Sequence, residues 1–193
     1  MIDAIARYED DPALAMRVVM APHENTVIAM AHGYHLATSA CAAVMGHVNV
    51  GSANMTLGII NAFRSRIPML VMAGRTPWLD AAARGARRNF VQWGQDTFDQ
   101  ASFREFLKWD YELRTAENLE PTVDRALAIT ESDPKGPVYL MLPGEVLARE
   151  LPAGASEFRI SDRQRQRPAV AGPAPRAQLE RAAGLIARAE RPV

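Results

Sequence analysis

The stretch NVGSANMTLGIINAFRSRIPMLVMA, residues 49–73, contains a small-residue loop, a helix and a strand in succession. Asn49 to Asn54 is Gly- and Asn-bearing and reads as part of a turn that starts at His47. Met55 to Phe63 has helical spacing, with Ser52 or Asn54 available as its cap. Pro68 to Ala73 is a short apolar run rich in Met and Val, bounded by a proline and a glycine, and is the clearest strand in the chain. Working outward, Met16 to Ala21 (MRVVMA) predicts a buried strand broken by Pro22, Asn25 to Thr38 a helix, and Cys41 to Met45 a strand. Towards the carboxyl terminus, Trp109 to Leu113 is a candidate strand, Leu119 to Thr130 an amphipathic helix, and Pro137 to Pro143 (PVYLMLP) a strand between prolines. This alternation predicts an α/β fold, a mostly parallel sheet with helices on both faces. Ligands on such sheets sit beyond the carboxyl ends of the strands, so the turns after Ala21 and Met45 are where function is expected.

The flanking regions differ in character. Residues 2–8 predict a short helix that stops at Glu9-Asp10-Asp11-Pro12. Residues 74–100 are rich in Gly, Arg and aromatics and long for a loop, so the segment is either functional or partly structured, and Trp78, Trp93 and Trp109 around it suggest packing on a partner subunit. Residues 152–175 hold prolines and an arginine-rich run and read as a linker, after which Arg176 to Glu190 is helical again. The division expected is a domain over 1–150, a linker over 151–175, and the start of a second domain over 176–193.

Composition narrows the function. The 193 residues carry 22 Lys+Arg against 22 Asp+Glu, a formal net charge of zero, which argues against a nucleic-acid partner. The cluster Arg84, Arg87 and Arg88 is then a solvated face or a subunit contact. Hydrophobic residues at 48% and charged ones at 23% are ordinary for a globular protein. No apolar run approaches the roughly 20 residues of a membrane span, so no membrane partner is expected. A single Cys41 excludes an intrachain disulfide, the first residues carry no signal-peptide pattern, and a cytoplasmic location is the default. His23, His32, His35 and His47 lie in one stretch, but no carboxylate or Cys at familiar spacing completes a metal set, so no metal ligands are expected here.

Glu24 stands at a strand-to-helix turn. Read from the residues alone it has two meanings. It is a first-turn acid favoured by the helix dipole, or a partly buried carboxylate poised to share a proton with a ligand. The loop at Gly51 has the same double reading, a plain turn or a place where backbone approaches a ligand closely.

Taken together, the segments resemble a known family. HENTVIAMAHGYHLAT (residues 23–38) is similar to the HE-x-x-A-x-x-MA-x-GYA-x-x-T segment of thiamine-diphosphate-dependent enzymes of the acetolactate synthase type. Residues 49–77 resemble the segment in which a SGPGATN loop leads through a helix to PMVVITGQVP, and KGPVYLMLPGEVL resembles the strand that closes the family's pyrimidine-binding domain. PRAQLERAAGLIARAERPV resembles the entry to the central domain. The likeness runs in order along nearly the whole chain. Two departures stand out: Asn49-Val50-Gly51 replaces Gly-Pro-Gly, and Asp96 replaces the Glu of an FQE motif.

The resemblance implies that Glu24 is the glutamate that hydrogen-bonds N1′ of the cofactor's aminopyrimidine and favours deprotonation of the thiazolium C2. It implies that Gly51 and Asn54 lie near the pyrimidine and a facing subunit, and that Gln95 and Lys108 lie on the substrate side. The substrate implied is a small 2-oxo acid, decarboxylated and then ligated to a second carbonyl compound. The assembly implied is a homo-oligomer or a pairing with a diphosphate-domain chain. Mg²⁺ would be held by a diphosphate domain, whose Gly-Asp-Gly does not occur in this sequence, and FAD would belong to the central domain of a complete enzyme. A first strand would precede residue 1, and this chain alone is expected to bind the cofactor weakly. Two other readings stay open: a separate pyrimidine-domain subunit of a two-chain decarboxylase, and a non-catalytic interaction fragment that keeps the fold.

Overall fold

The computed structural model describes residues 2–7, 17–75, 103–150 and 167–191. In chain order the elements are α1 (Ile2–Arg7), α2 (Glu24–Thr38), β1 (Ala42–Gly46), α3 (Val48–Arg64), β2 (Met69–Arg75), β3 (Trp109–Glu112), α4 (Leu119–Glu131), β4 (Val138–Pro143), α5 (Gly144–Leu147) and α6 (Arg176–Arg188). The four strands form one sheet in the order β1-β2-β4-β3, and every pairing is parallel. The α/β expectation is met.

Side-chain alternation builds a layer on each face. Met69, Val71 and Ala73 of β2 and Tyr139 and Met141 of β4 point to one side, where they bury Ile28 of α2 and Met55, Ile59 and Ala62 of α3. Leu70 of β2 and Val138 and Leu140 of β4 point to the other, where Ala126 of α4 covers them with Trp109, Tyr111, Val123 and Ile129. All six residues of β4 are buried, the signature of a central parallel strand covered on both faces. That is why PVYLMLP reads as a continuous apolar run and not as an alternating one.

Helices α2 and α3 approach closely because the contact is made by glycine. A Cβ on Gly58 would fall 2.3 Å from Cγ2 of Ile28. At the amino-terminal edge of the sheet, Thr130 replaces backbone pairing with its hydroxyl. Its Oγ1 accepts from the Met69 amide at 3.0 Å and donates to the Gly136 carbonyl at 2.7 Å, in a fully buried setting. Lys108 closes the same edge. Its Nζ donates to the carbonyls of Ile129 and Ser132, acceptors at the end of α4. Residues 169–171 are pinned beside it: the Asp133 amide donates to the Ala169 carbonyl (2.7 Å), the Ala169 amide to Ser132 Oγ (2.9 Å), and the Ala171 amide to Asp133 Oδ2 (2.9 Å).

Three expectations are corrected. Arg17 to Ala21 forms no strand. Val18 and Val19 are 56% and 54% exposed and Met20 is 90% exposed, and among the described residues no ladder partner meets them. An apolar run becomes a strand only through lateral pairing, and β1 pairs on one side only. Second, α3 begins at Val48, not Met55, so the expected turn is the helix's first two turns. The Gly-Ser-Ala-Asn composition disfavours helix locally, but Gly51 and Ser52 are buried there and tertiary packing wins. Third, the cap position of α3 is His47, not Ser52 or Asn54. The remaining strands and helices fall within a residue or two of expectation. Trp78, Arg84, Arg87, Arg88, Trp93, Gln95 and Asp96 lie outside the described residues. No helix among the described residues is long and apolar enough to cross a membrane.

Thr130→Val keeps the shape but leaves the Met69 amide and the Gly136 carbonyl without their partner. It should cost about 1–3 kcal/mol, a fall in Tm of roughly 3–10 °C for a chain of this size. Thermal unfolding followed by circular dichroism checks this.

Candidate functional site

The site forms at the carboxyl edge of the sheet, where two helices start side by side. His23 lies in extended conformation and its Nδ1 accepts from the Asn25 amide at 3.1 Å, so α2 starts at Glu24. Chain reversal after β1 then starts α3 at Val48. Val48 has φ 41°, an unusual value for a β-branched residue and a mark of local strain. The Gly51 amide donates to the His47 carbonyl at 2.6 Å and closes the first turn of α3.

Glu24 and Asn54 come together across the helix pair. Asn54 Nδ2 donates to Glu24 Oε2 at 3.1 Å. Gly51 lies one turn before Asn54, and a Cβ there would stand 2.8 Å from Glu24 Oε1 and 3.1 Å from the Gly46 carbonyl carbon. Glycine therefore leaves Oε1 uncrowded. Glu24 is half-buried, and its carboxyl is held below the ordinary glutamate range. The Asn54 hydrogen bond is the main cause. The helix's own first amide, the nearby His23 and the His47 backbone add to it, and partial burial opposes them. The result is an ionised carboxylate at a helix amino terminus, with Oε2 fixed by an amide and Oε1 beside a residue that has no side chain.

Of the residues singled out in the sequence, Glu24, Gly51 and Asn54 meet in one place. Lys108 is not brought to them. It precedes β3 at the amino-terminal edge, where burial lowers its pKa while Asp133 favours its charge, and it caps α4. Gln95 is outside the described residues. Two features had no sequence signal. Arg75 Nη1 donates to Glu112 Oε2 at 2.7 Å and ties β2 to β3 over the end of β4. Tyr139 of β4 meets Ser52 of α3 at 2.7 Å, across 87 residues of sequence.

Residues 1–103 match the family described as thiamine pyrophosphate enzyme, N-terminal TPP binding domain. The chain belongs to this family. Thiamine pyrophosphate is the same compound as thiamine diphosphate. This member is 28% identical over 177 residues to benzoylformate decarboxylase of Pseudomonas aeruginosa, covering 92% of this chain and 31% of that protein. It is 28% identical over 134 residues to the mitochondrial acetolactate synthase catalytic subunit of Saccharomyces cerevisiae, covering 67% of this chain and 18% of that one. Its fold is similar to the crystal structure of benzoylformate decarboxylase from Polynucleobacter necessarius, with a TM-score of 0.70 over 95% of this chain and 32% of that one, at 22% identity. The chain thus spans about a third or less of the length of the proteins it matches. The mainly parallel α/β sheet is the fold that this thiamine pyrophosphate domain shares with them.

The geometry makes two separable predictions. Gly51→Ala should lower Tm only modestly, since alanine favours a helix and the shortest contact is with the end of a flexible side chain, although the Gly46 carbonyl carbon at 3.1 Å must also give. It should nevertheless push Glu24 away from Asn54, seen as a rise of the Glu24 carboxyl pKa in an NMR titration. Asn54→Ala tests the pH linkage. A folded-state pKa below the unfolded value adds stability above the unfolded pKa, and that stability is lost as pH falls through the folded value. The wild type should therefore exceed Asn54→Ala by under about 1 kcal/mol at neutral pH, solvent screening a half-exposed group. In urea melts the difference should shrink on moving to about pH 3.

Proposed function

We infer that residues 1–150 are the pyrimidine-binding domain of a thiamine-diphosphate-dependent 2-oxo acid decarboxylase and carboligase of the acetolactate synthase type. On this reading 151–175 is a linker and 176–193 the start of the central domain. The observation that carries the inference is the Glu24–Asn54–Gly51 arrangement: an ionised carboxylate with Oε2 fixed by Asn54 and Oε1 facing a glycine. Such a group can share a proton with the ring nitrogen N1′ of an aminopyrimidine, because an ionised carboxylate and a ring nitrogen are both acceptors and one proton between them joins the two. When bound, thiamine diphosphate supplies the nucleophilic carbon and the electron sink that a 2-oxo acid needs to lose CO₂.

The chain's own residues do the positioning and the proton control. Glu24 holds the shared proton at its carboxylate, against the pyrimidine N1′. Asn54 fixes the plane of that carboxylate through Oε2. Gly51 supplies clearance beside Oε1. The lowered pKa keeps Glu24 ionised and weakly basic in the free protein, so its carboxylate carries a proton only while a bound partner shares it. The diphosphate and Mg²⁺ are assigned to a second domain or chain, as is any FAD. That makes a homo-oligomer, or a pair with a diphosphate-domain chain, the working assembly, acting on a small 2-oxo acid in the cytoplasm. Gln95 and Lys108 remain the proposed substrate-side residues. For Lys108 this requires a duty beyond the helix cap, met from another subunit.

The test is Glu24→Gln in the complete enzyme, supplied with thiamine diphosphate and Mg²⁺ and assayed for CO₂ release and acetolactate formation from pyruvate. Loss of a general acid–base group should lower kcat roughly 10²–10⁴-fold, with the amide preserving the fold. An unchanged rate would remove Glu24 from the chemistry and favour a non-catalytic binding module. CO₂ release from benzoylformate with none from pyruvate would replace the acetolactate synthase reading by a simple decarboxylase.

A further inference from the structure

The first turns of α3 carry both Gly51 and Asn54, so whatever fixes them fixes the surroundings of Glu24. No capping side chain does so among the described residues, because His47 makes no such bond. Val48, at the head of the helix, sits at positive φ, which a valine adopts only under constraint from its surroundings. Something within the fold has to hold it.

A hydrogen-bonded chain from the middle of the sheet meets this requirement. Ser52 Oγ lies 2.7 Å from the Val48 carbonyl and 2.7 Å from Tyr139 Oη. The carbonyl can only accept, so the one serine proton goes to Val48 and the tyrosine hydroxyl donates to Ser52 Oγ. Ser52 and Tyr139 are both fully buried, where an unmade hydrogen bond is costly and a made one is rigid. Tyr139 is itself fixed. It lies in β4, buried on both faces, and its ring meets Phe103 edge-on at 5.1 Å between centroids. The direction of support therefore runs from the most deeply buried strand to the strained valine. The turn so held carries Gly51 and leads, half a turn on, to Asn54.

We propose that Tyr139 and Ser52 are positioning residues for the cofactor-binding carboxylate: their hydrogen-bonded chain to Val48 braces the first turn of α3 and so holds Asn54 and Gly51 against Glu24. The proposal rests on the reading of Glu24 given above only for its bearing on the cofactor. The brace itself is a statement about the geometry of this chain.

Tyr139→Phe removes one oxygen and keeps the ring on Phe103, and Ser52→Ala removes the middle of the chain. In the full protein each variant, with Thr130→Val as a control for lost stability, is titrated by ¹³C NMR at the Glu24 carboxyl. Both brace variants should raise the Glu24 pKa towards the ordinary glutamate range as the Asn54 contact loosens. The double variant should do no more than either single one, because the two act through one chain. Thr130→Val, which destabilises the sheet elsewhere, should leave the titration where it was. An unmoved titration in both brace variants, or an equal shift in the control, overturns the proposal. In the complete enzyme with Mg²⁺, thiamine diphosphate Kd should rise about five- to tenfold in each brace variant, the scale of one lost hydrogen bond. If Glu24→Gln leaves turnover unchanged, the functional reading falls while the titration still decides the brace.

Discussion

Two glycines set the distance between α2 and α3, and the site depends on that distance. Gly51 and Gly58 are seven residues apart, two helical turns, and so face the same way. They meet Glu24 and Ile28, which are four residues apart on α2 and share a face in turn. With a Cβ at either place the helices would have to separate or a side chain would have to leave. At Gly58 the neighbour is a β-branched side chain packed in the core, which has nowhere to go. At Gly51 the shortest contact is with a carboxylate that can swing away, with the Gly46 backbone next at 3.1 Å. One contact therefore secures packing and the other secures geometry, although both arise from the same helix pair.

The electrostatics follow from this spacing. Bringing two helix amino termini to one edge concentrates positive partial charge there, and unpaired backbone amides with it. A carboxylate is the natural counter-charge, and Glu24 occupies that position with an amide on its flank. Its ionised form is favoured although it is half out of the solvent. The cost of the arrangement appears beside it, in the positive φ of Val48. Strain of this kind, placed next to a charged group and offset by packing elsewhere, is what a pre-organised binding edge requires.

Much of this architecture is legible in the sequence, for definite reasons. β2 from Met69 to Ala73 and β4 throughout are apolar because parallel central strands are covered on both faces, and Pro68 and Pro137 mark where they start. Glu24 is visible as an acid at a strand-to-helix turn, and its meaning comes only from the surrounding motif. Residues 48–54 mislead because glycine, serine and asparagine disfavour helix on local grounds, and the burial that overrides this is supplied from β4. Arg17 to Ala21 misleads for the opposite reason: its composition suits a strand, and pairing is a property of neighbours rather than of composition. Contacts such as Tyr139–Ser52 and Arg75–Glu112 join strands and helices far apart in sequence, and no spacing rule reaches them.

The segment pinned by Ser132 and Asp133 sets the traffic around the molecule. Residues 169–171 lie at the amino-terminal edge of the sheet, beside the capped end of α4, whereas Glu24 lies at the carboxyl edge. The backbone at residues 169–171 is therefore tethered a strand's length away from the carboxylate. Among the described residues, the tether at 169–171 and the Glu24–Asn54 pair therefore stand at opposite ends of the strands.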